Sequence, residues 1–266
     1  MNTPEPSTGE LGPELRGLLA IVVMEPLPPG AAIEGLPGIW SSRPDGKAGA
    51  RVQLAHGEHL VVGGIATSGT VDIGPSDAAR PSQQSVMLDD DRAIVLFHMQ
   101  DAGSGQTWIA LTSATAPRLT SFRGVSSYPN DDRWRIPVSF TPVDEADRVS
   151  MVRRFRSGEQ LIGMDRAGWL DATIDARSYR FTVDRVSDYA YVNFRDASSG
   201  TESYGAGRVL RLPADPATID VLDFNLAAVP PCAFNPLVNC PLPSENNVIA
   251  SSVRAGQRDV LFDEMP

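Results

Sequence analysis

Residues 208–223 read Arg208-Val-Leu-Arg-Leu-Pro-Ala-Asp-Pro-Ala-Thr-Ile-Asp-Val-Leu-Asp223. Two runs of period-two alternation, Arg208–Leu212 and Ile219–Asp223, flank a connection containing Pro213, Asp215 and Pro216, the composition of a turn between strands. With Leu212 opposite Ile219 in an antiparallel ladder, Arg211 faces Asp220, Leu210 faces Val221, Val209 faces Leu222 and Arg208 faces Asp223. One register thus matches both charged pairs and every apolar one. Alternation then places Arg208 and Asp223 on the face that carries Leu210, Leu212, Ile219 and Val221. Charges at the end of an apolar face are expected to be paired and partly buried, or to bind something. The pair Arg211 and Asp220 falls on the other, exposed face, where it contributes little.

The same alternation recurs along the chain between clusters of Gly, Pro, Asp and Ser: 51–55, 59–62, 93–99, 107–112, 135–140, 148–155, 179–183, 189–194 and 248–253. Many short strands with turn signals between them predict an all-β fold, mainly an antiparallel sandwich or open barrel, with minor short helices. Residues 10–19 are the one helical candidate. Residues 1–10 read as a flexible tail and 11–266 as a single β-rich domain, with Pro75–Ser85 the most linker-like stretch inside it.

Composition excludes several functions. The longest apolar run, Leu18–Met24, is seven residues, far short of a membrane-spanning helix of about 20. Acidic residues outnumber basic ones 33 to 23, a net charge of −10, which disfavours nucleic acid and anionic lipid as partners. Lys47 is the sole lysine, so Schiff-base and phosphate-loop chemistry have almost nothing to rest on. Two cysteines in 266 residues and an N-terminus without a basic, apolar leader point to the cytoplasm.

Common catalytic signatures are absent, and no cofactor motif is present; Gly205-Ala206-Gly207 precedes a strand and lacks the third glycine of a dinucleotide loop. His56-Gly-Glu-His59 suits a tight hairpin turn better than a metal site completed by Cys232 and Cys240, so no metal is expected. His98 reads as a strand histidine. The acidic runs at 89–91 and 131–132 read as solvated turns, and Arg153, Arg154 and Arg156 as a charged strand balanced by the acids at 144–147. Cys232 and Cys240 are expected to be free, mostly buried thiols close enough to pair on oxidation.

The segment Phe194-Arg-Asp-Ala-Ser-Ser-Gly200-Thr-Glu-Ser-Tyr204-Gly-Ala-Gly207-Arg208, followed by Asp223-Phe-Asn225, Pro230-Pro-Cys232-Ala-Phe234, Cys240-Pro-Leu-Pro243 and Ala255-Gly256, resembles the C-terminal signature of the DUF1684 family. Phe122-Arg-Gly-Val, Tyr128-Pro and Trp134-Arg-Ile resemble its midsection. The family brings a pattern without an established activity. The chain departs from that pattern at Ala228-Val229, where Tyr-Asn is usual, at Asn246-Asn247, where Glu-Asn is usual, and at Gln257, where the family has Glu.

The residues point to a small-molecule-binding or structural β module. As a binding module, its pocket lies near Tyr204, Arg208, Asp223, Asn225 and Asn247, with an anionic or carbonyl-bearing ligand on the Arg208 fork. Gly205, Gly207, Cys232 and Cys240 are structural in this scheme. The alternative is a hydrolase or lyase with Asp223 as base and Arg208 as clamp, which still needs a second acid or base, since arginine lowers an aspartate's pKa. In the third reading, these polar side chains satisfy backbone groups of the Pro230–Pro243 loop. Neither an oligomeric state nor a catalytic residue set follows from the sequence.

Overall fold

A computed structural model describes residues 11–74, 83–100, 105–144, 153–155, 158–160, 165–186, 189–238, 240 and 242–264. They form mostly antiparallel sheets with a few short helices, as the alternation implies. Contacts divide them into two compact units, 11–121 and 122–264.

The first unit contains α1 (Pro13–Ala20), β1 (Ile21–Pro26), β2 (Ile39–Ser42), β3 (Ala50–Gln53), β4 (Leu60–Val62), β5 (Ile65–Thr67), β6 (Thr70–Ile73), β7 (Gln83–Met87), β8 (Arg92–Gln100), β9 (Gly105–Ser113) and α2 (Pro117–Ser121). A six-stranded sheet, β1-β9-β8-β7-β4-β5, and a three-stranded one, β2-β3-β6, share one apolar core in which Trp40, Val52 and Ile73 meet Leu60, Ile94 and Ile109. This is sandwich packing. The His56–Gly57 turn forms, with Glu58 N–H donating to the Ala55 carbonyl at 3.0 Å. It is not a hairpin, because β3 and β4 belong to different sheets. Asp89 is a turn residue: its Oδ1 accepts from the Asp91 and Arg92 amides at 3.0 and 2.7 Å.

The second unit contains β10 (Phe122–Ser127), β11 (Arg135–Pro142), β12 (Arg153–Phe155), β13 (Gly158–Gln160), β14 (Asp165–Ile174), β15 (Arg177–Val186), β16 (Tyr189–Asp196), β17 (Arg208–Leu212), β18 (Val221–Asp223), α3 (Pro231–Phe234), β19 (Val248–Ile249) and β20 (Gln257–Phe262). Its main sheet runs β17-β16-β15-β14-β11-β18, with β19 parallel to β16, and curls into a nearly closed barrel. Leu170, Phe181, Val183, Val192, Phe194, Leu210, Leu222 and Phe224 fill the core. Phe224 is the packing centre, edge-on to Phe194, Phe181 and Trp134 at ring distances of 5.1, 6.4 and 6.2 Å. The hairpin β14–β15 turns on Asp175 and Ala176, both at positive φ (48° and 60°), the backbone of a primed two-residue turn.

The linker-like stretch 75–85 and the charged run 148–155 lie largely outside the described residues, as does the His98 side chain.

Candidate functional site

The expected hairpin of 208–223 does not form. β17 pairs with β16, Phe194 opposite Arg208, while β18 lies on the far edge of the sheet against β11, Arg135 opposite Asp223. The connection closes into a 3-10 turn at Pro216–Thr218, capped by Asp215 through the Ala217 amide at 3.0 Å, and leads across the gap in the barrel instead of reversing the chain. On its open side β17 takes Ala228 as partner, with Val209 and Ala228 exchanging both backbone bonds at 2.8 and 2.9 Å. Charge complementarity did not select the register, because Arg135 offers Asp223 the same complement as Arg208 would.

Alternation along β17 nevertheless buries residues 208, 210 and 212. Arg208 is 1% exposed, among the largest fully buried side chains of the protein. Its partner is Asp196, two residues beyond Phe194 on the same face of β16: Nη2 donates to Asp196 Oδ2 at 2.8 Å, and neither side chain touches solvent. The same nitrogen donates to the Val253 carbonyl at 2.7 Å, and Nη1 donates to the carbonyls of Ala255 and Gln257. Asp196 in turn accepts from the amides of Ser198 and Val253 at 2.7 and 3.3 Å. The ion pair is therefore a clasp, holding residues 253–257 against the end of the barrel. Gly207 permits it: at φ +98°, an added Cβ would lie 2.3 Å from the Phe194 carbonyl oxygen. Gly205 has no such constraint, since its added Cβ would make only ordinary contact with Gly200.

The remaining candidates sit apart from this clasp. Asp223 caps a 3-10 turn through the Asn225 amide at 3.0 Å and lies 3.7 Å from Arg135. Asn225 accepts from the Asp131 amide at 2.9 Å and donates to its carbonyl at 3.1 Å, joining two turns. Tyr204 donates its hydroxyl to the Cys232 carbonyl at 2.9 Å, which ties down the start of the proline-rich loop. Cys232 is buried and Cys240 half-buried.

Asn247 has the most specific role. The β15–β16 ladder ends at Asp184 opposite Tyr191; continued at the same register, Val183 would face Val192 and Thr182 would face Asn193. There the fully buried Asn247 amide inserts, accepting from Thr182 N–H at 2.7 Å and donating to the Thr182 and Asn193 carbonyls at 3.0 and 2.8 Å. A side chain completes the ladder where the main chain leaves it. At the site of a departure from the family pattern, Gln257 Oε1 accepts from Val229 N–H at 3.0 Å, a bond that a glutamate would also make.

Asp196, Tyr128 and Arg258 have roles here that the sequence pattern does not assign. Extending the β16 alternation two residues past Phe194 would have found Asp196. Tyr128 belongs to the Tyr128-Pro motif of the family resemblance. Two guanidiniums lie over its ring, with Arg258 Cζ 4.9 Å and Arg208 Cζ 5.8 Å from its centre.

The sequence model of a protein family of unknown function, DUF1684, matches residues 120–258, just over half of the chain and nearly all of the second unit. The chain belongs to the DUF1684 family. This DUF1684 chain is also similar to an uncharacterised protein from Haloarcula marismortui with a solution NMR structure: 30% identity over 51% of this chain and 76% of the other, at a TM-score of 0.42. No curated protein matches it. The clasp, Asn247 and the Tyr128 ring all fall inside the DUF1684 match. Among the described residues no group of His, Cys, Asp and Glu is arranged to hold a metal, and no helix is long and apolar enough to cross a membrane.

Proposed function

We propose that the DUF1684 unit is a structural β module of the cytoplasm, a rigid non-catalytic platform, and not a hydrolase or lyase worked by Asp223 and Arg208. One observation carries the reading: Arg208, the residue best suited to clamp a substrate oxygen, is sealed from solvent with both terminal nitrogens committed to Asp196 and three carbonyls. Asp223 stands on a different strand, held as a turn cap, and does not meet Arg208 as a base meets its clamp. A second reading, binding of a small anionic or carbonyl-bearing ligand, is favoured by two buried donors without an acceptor, Tyr128 Oη and Arg208 Nε.

The test is a panel of esters, phosphoesters and β-elimination substrates offered to wild type and Asp223→Asn. Equal background rates are expected from both. Turnover by wild type that Asp223→Asn abolishes while keeping its fold and unfolding midpoint would overturn the reading.

A further inference from the structure

We propose that the second unit holds an oxyanion-binding site between the Tyr128 hydroxyl and the Arg258 guanidinium, for a carboxylate or phosphate group. The proposal goes beyond the platform reading and uses the clasp only as its rear wall.

It starts from unsatisfied donors. The Tyr128 hydroxyl and Arg208 Nε are both shielded from solvent and both lack a hydrogen-bond partner, a costly condition that a native protein rarely leaves unexplained. They belong to the same stack, in which Arg208 faces the Tyr128 ring. Charge points the same way. Arg208 is neutralised by Asp196, and Arg254 by Glu202 through two bonds of 2.8 and 2.7 Å. Arg258 has no carboxylate within 4.0 Å among the described residues; its single bond runs from Nε to the Glu202 carbonyl at 3.3 Å, so neither terminal nitrogen has an acceptor. Arg258 is half-buried with its guanidinium carbon 4.9 Å from the Tyr128 ring centre, and the hydroxyl lies one bond beyond that ring. Arg254 lies within electrostatic range of Tyr128. Asp259, the next residue along β20, feels Arg258 as an attractive charge, yet burial holds its carboxyl above the ordinary range.

The chemistry that fits is an oxyanion with two or more acceptor oxygens, taking one bond from the phenol and a forked pair from the guanidinium. Access requires Arg258 to swing from the ring, which its uncommitted terminal nitrogens permit. No acceptor on the ligand other than oxygen is needed, so carboxylate and phosphate share the site.

Sodium phosphate and sodium acetate are titrated separately at constant ionic strength into ¹⁵N-labelled wild type, Tyr128→Phe and Arg258→Gln, with backbone amide shifts as readout. Tyr128→Phe keeps the ring under both guanidiniums and removes only the hydroxyl. Saturable shifts at residues 128 and 256–258 are expected in wild type, weakened about tenfold in Arg258→Gln and several-fold in Tyr128→Phe; the tighter of the two anions names the ligand class. No saturable shift with either anion, or equal affinity in all three proteins, would overturn the site while leaving the platform reading intact.

Discussion

Asp196→Ala removes the carboxylate that neutralises Arg208 and leaves the guanidinium sealed in the barrel end. Breaking a buried ion pair from one side costs about 3–5 kcal/mol, since the surviving charge keeps its desolvation penalty and loses its counter-charge. The amides of Ser198 and Val253 also lose their acceptor, which places this substitution at the upper end of that range. In urea, with a slope of about 2 kcal/mol per molar, the unfolding midpoint should fall by roughly 2 M. In a thermal melt the fall should be on the order of 10–15 °C for a unit of this size. Asp223→Ala is the control that separates this placement from the hairpin register. It loses a turn cap and a half-exposed pair 3.7 Å from Arg135, about 1 kcal/mol in all. The double variant Asp196→Leu with Arg208→Met should recover only part of the loss, because the Val253, Ala255 and Gln257 carbonyls are then left without their donor. An Asp196→Ala midpoint within about 1 kcal/mol of wild type, or a larger loss in Asp223→Ala than in Asp196→Ala, would refute the argument.

Asn247→Ala should cost about 3 kcal/mol or more in urea unfolding, as it strands both backbone groups of Thr182 and the Asn193 carbonyl in the interior. Ala176→Gly should raise the midpoint by about 0.5–1 kcal/mol, because a residue with a Cβ is held at φ 60° there and the relief exceeds the added freedom of the unfolded chain. In the first unit, the Arg43 hydrogen bond holds the Asp45 carboxyl at about 2, below its ordinary 3.8. Its contribution to stability is therefore present above the ordinary carboxylate range and is lost as pH falls toward 2. A carbon-detected titration of Asp45 should show that midpoint, and Arg43→Gln should return it toward 3.8.

Where a strand buries one face it writes its period into the sequence, as β11 and β17 show. β14 escaped notice for two reasons. Both of its faces carry buried or half-buried residues, which blurs the alternation, and its hairpin turn is Asp175-Ala176, without the glycine or asparagine that usually marks positive φ. β10 and β20 are short and irregular in register, Gly124 and Gln257 lying beside bulges, so neither shows a clean pattern.

The candidate site was half legible, and the missing half has one cause. Alternation is a property of a single strand, so it correctly placed Arg208 on the buried face. A partner is a property of two strands, and the sequence constrains it only through complementarity. A charge accepts any opposite charge at the right parity: Asp196 for Arg208 and Arg135 for Asp223 are as complementary as the pairing of Arg208 with Asp223. What decided between them was closure of the barrel. Phe194 had to enter the core beside Phe224, at 5.1 Å, which fixes β16 against β17 and carries Asp196 to the guanidinium. A contact between residues on separate strands, set by the volume of an aromatic core, leaves no periodic trace. The polar residues that a sequence offers as a binding site are therefore also those that a barrel needs to close its ends, and burial separates the two roles. By that criterion Arg208 belongs to the frame, while half-buried Arg258, with no carboxylate within 4.0 Å among the described residues, is the cation proposed to take a ligand.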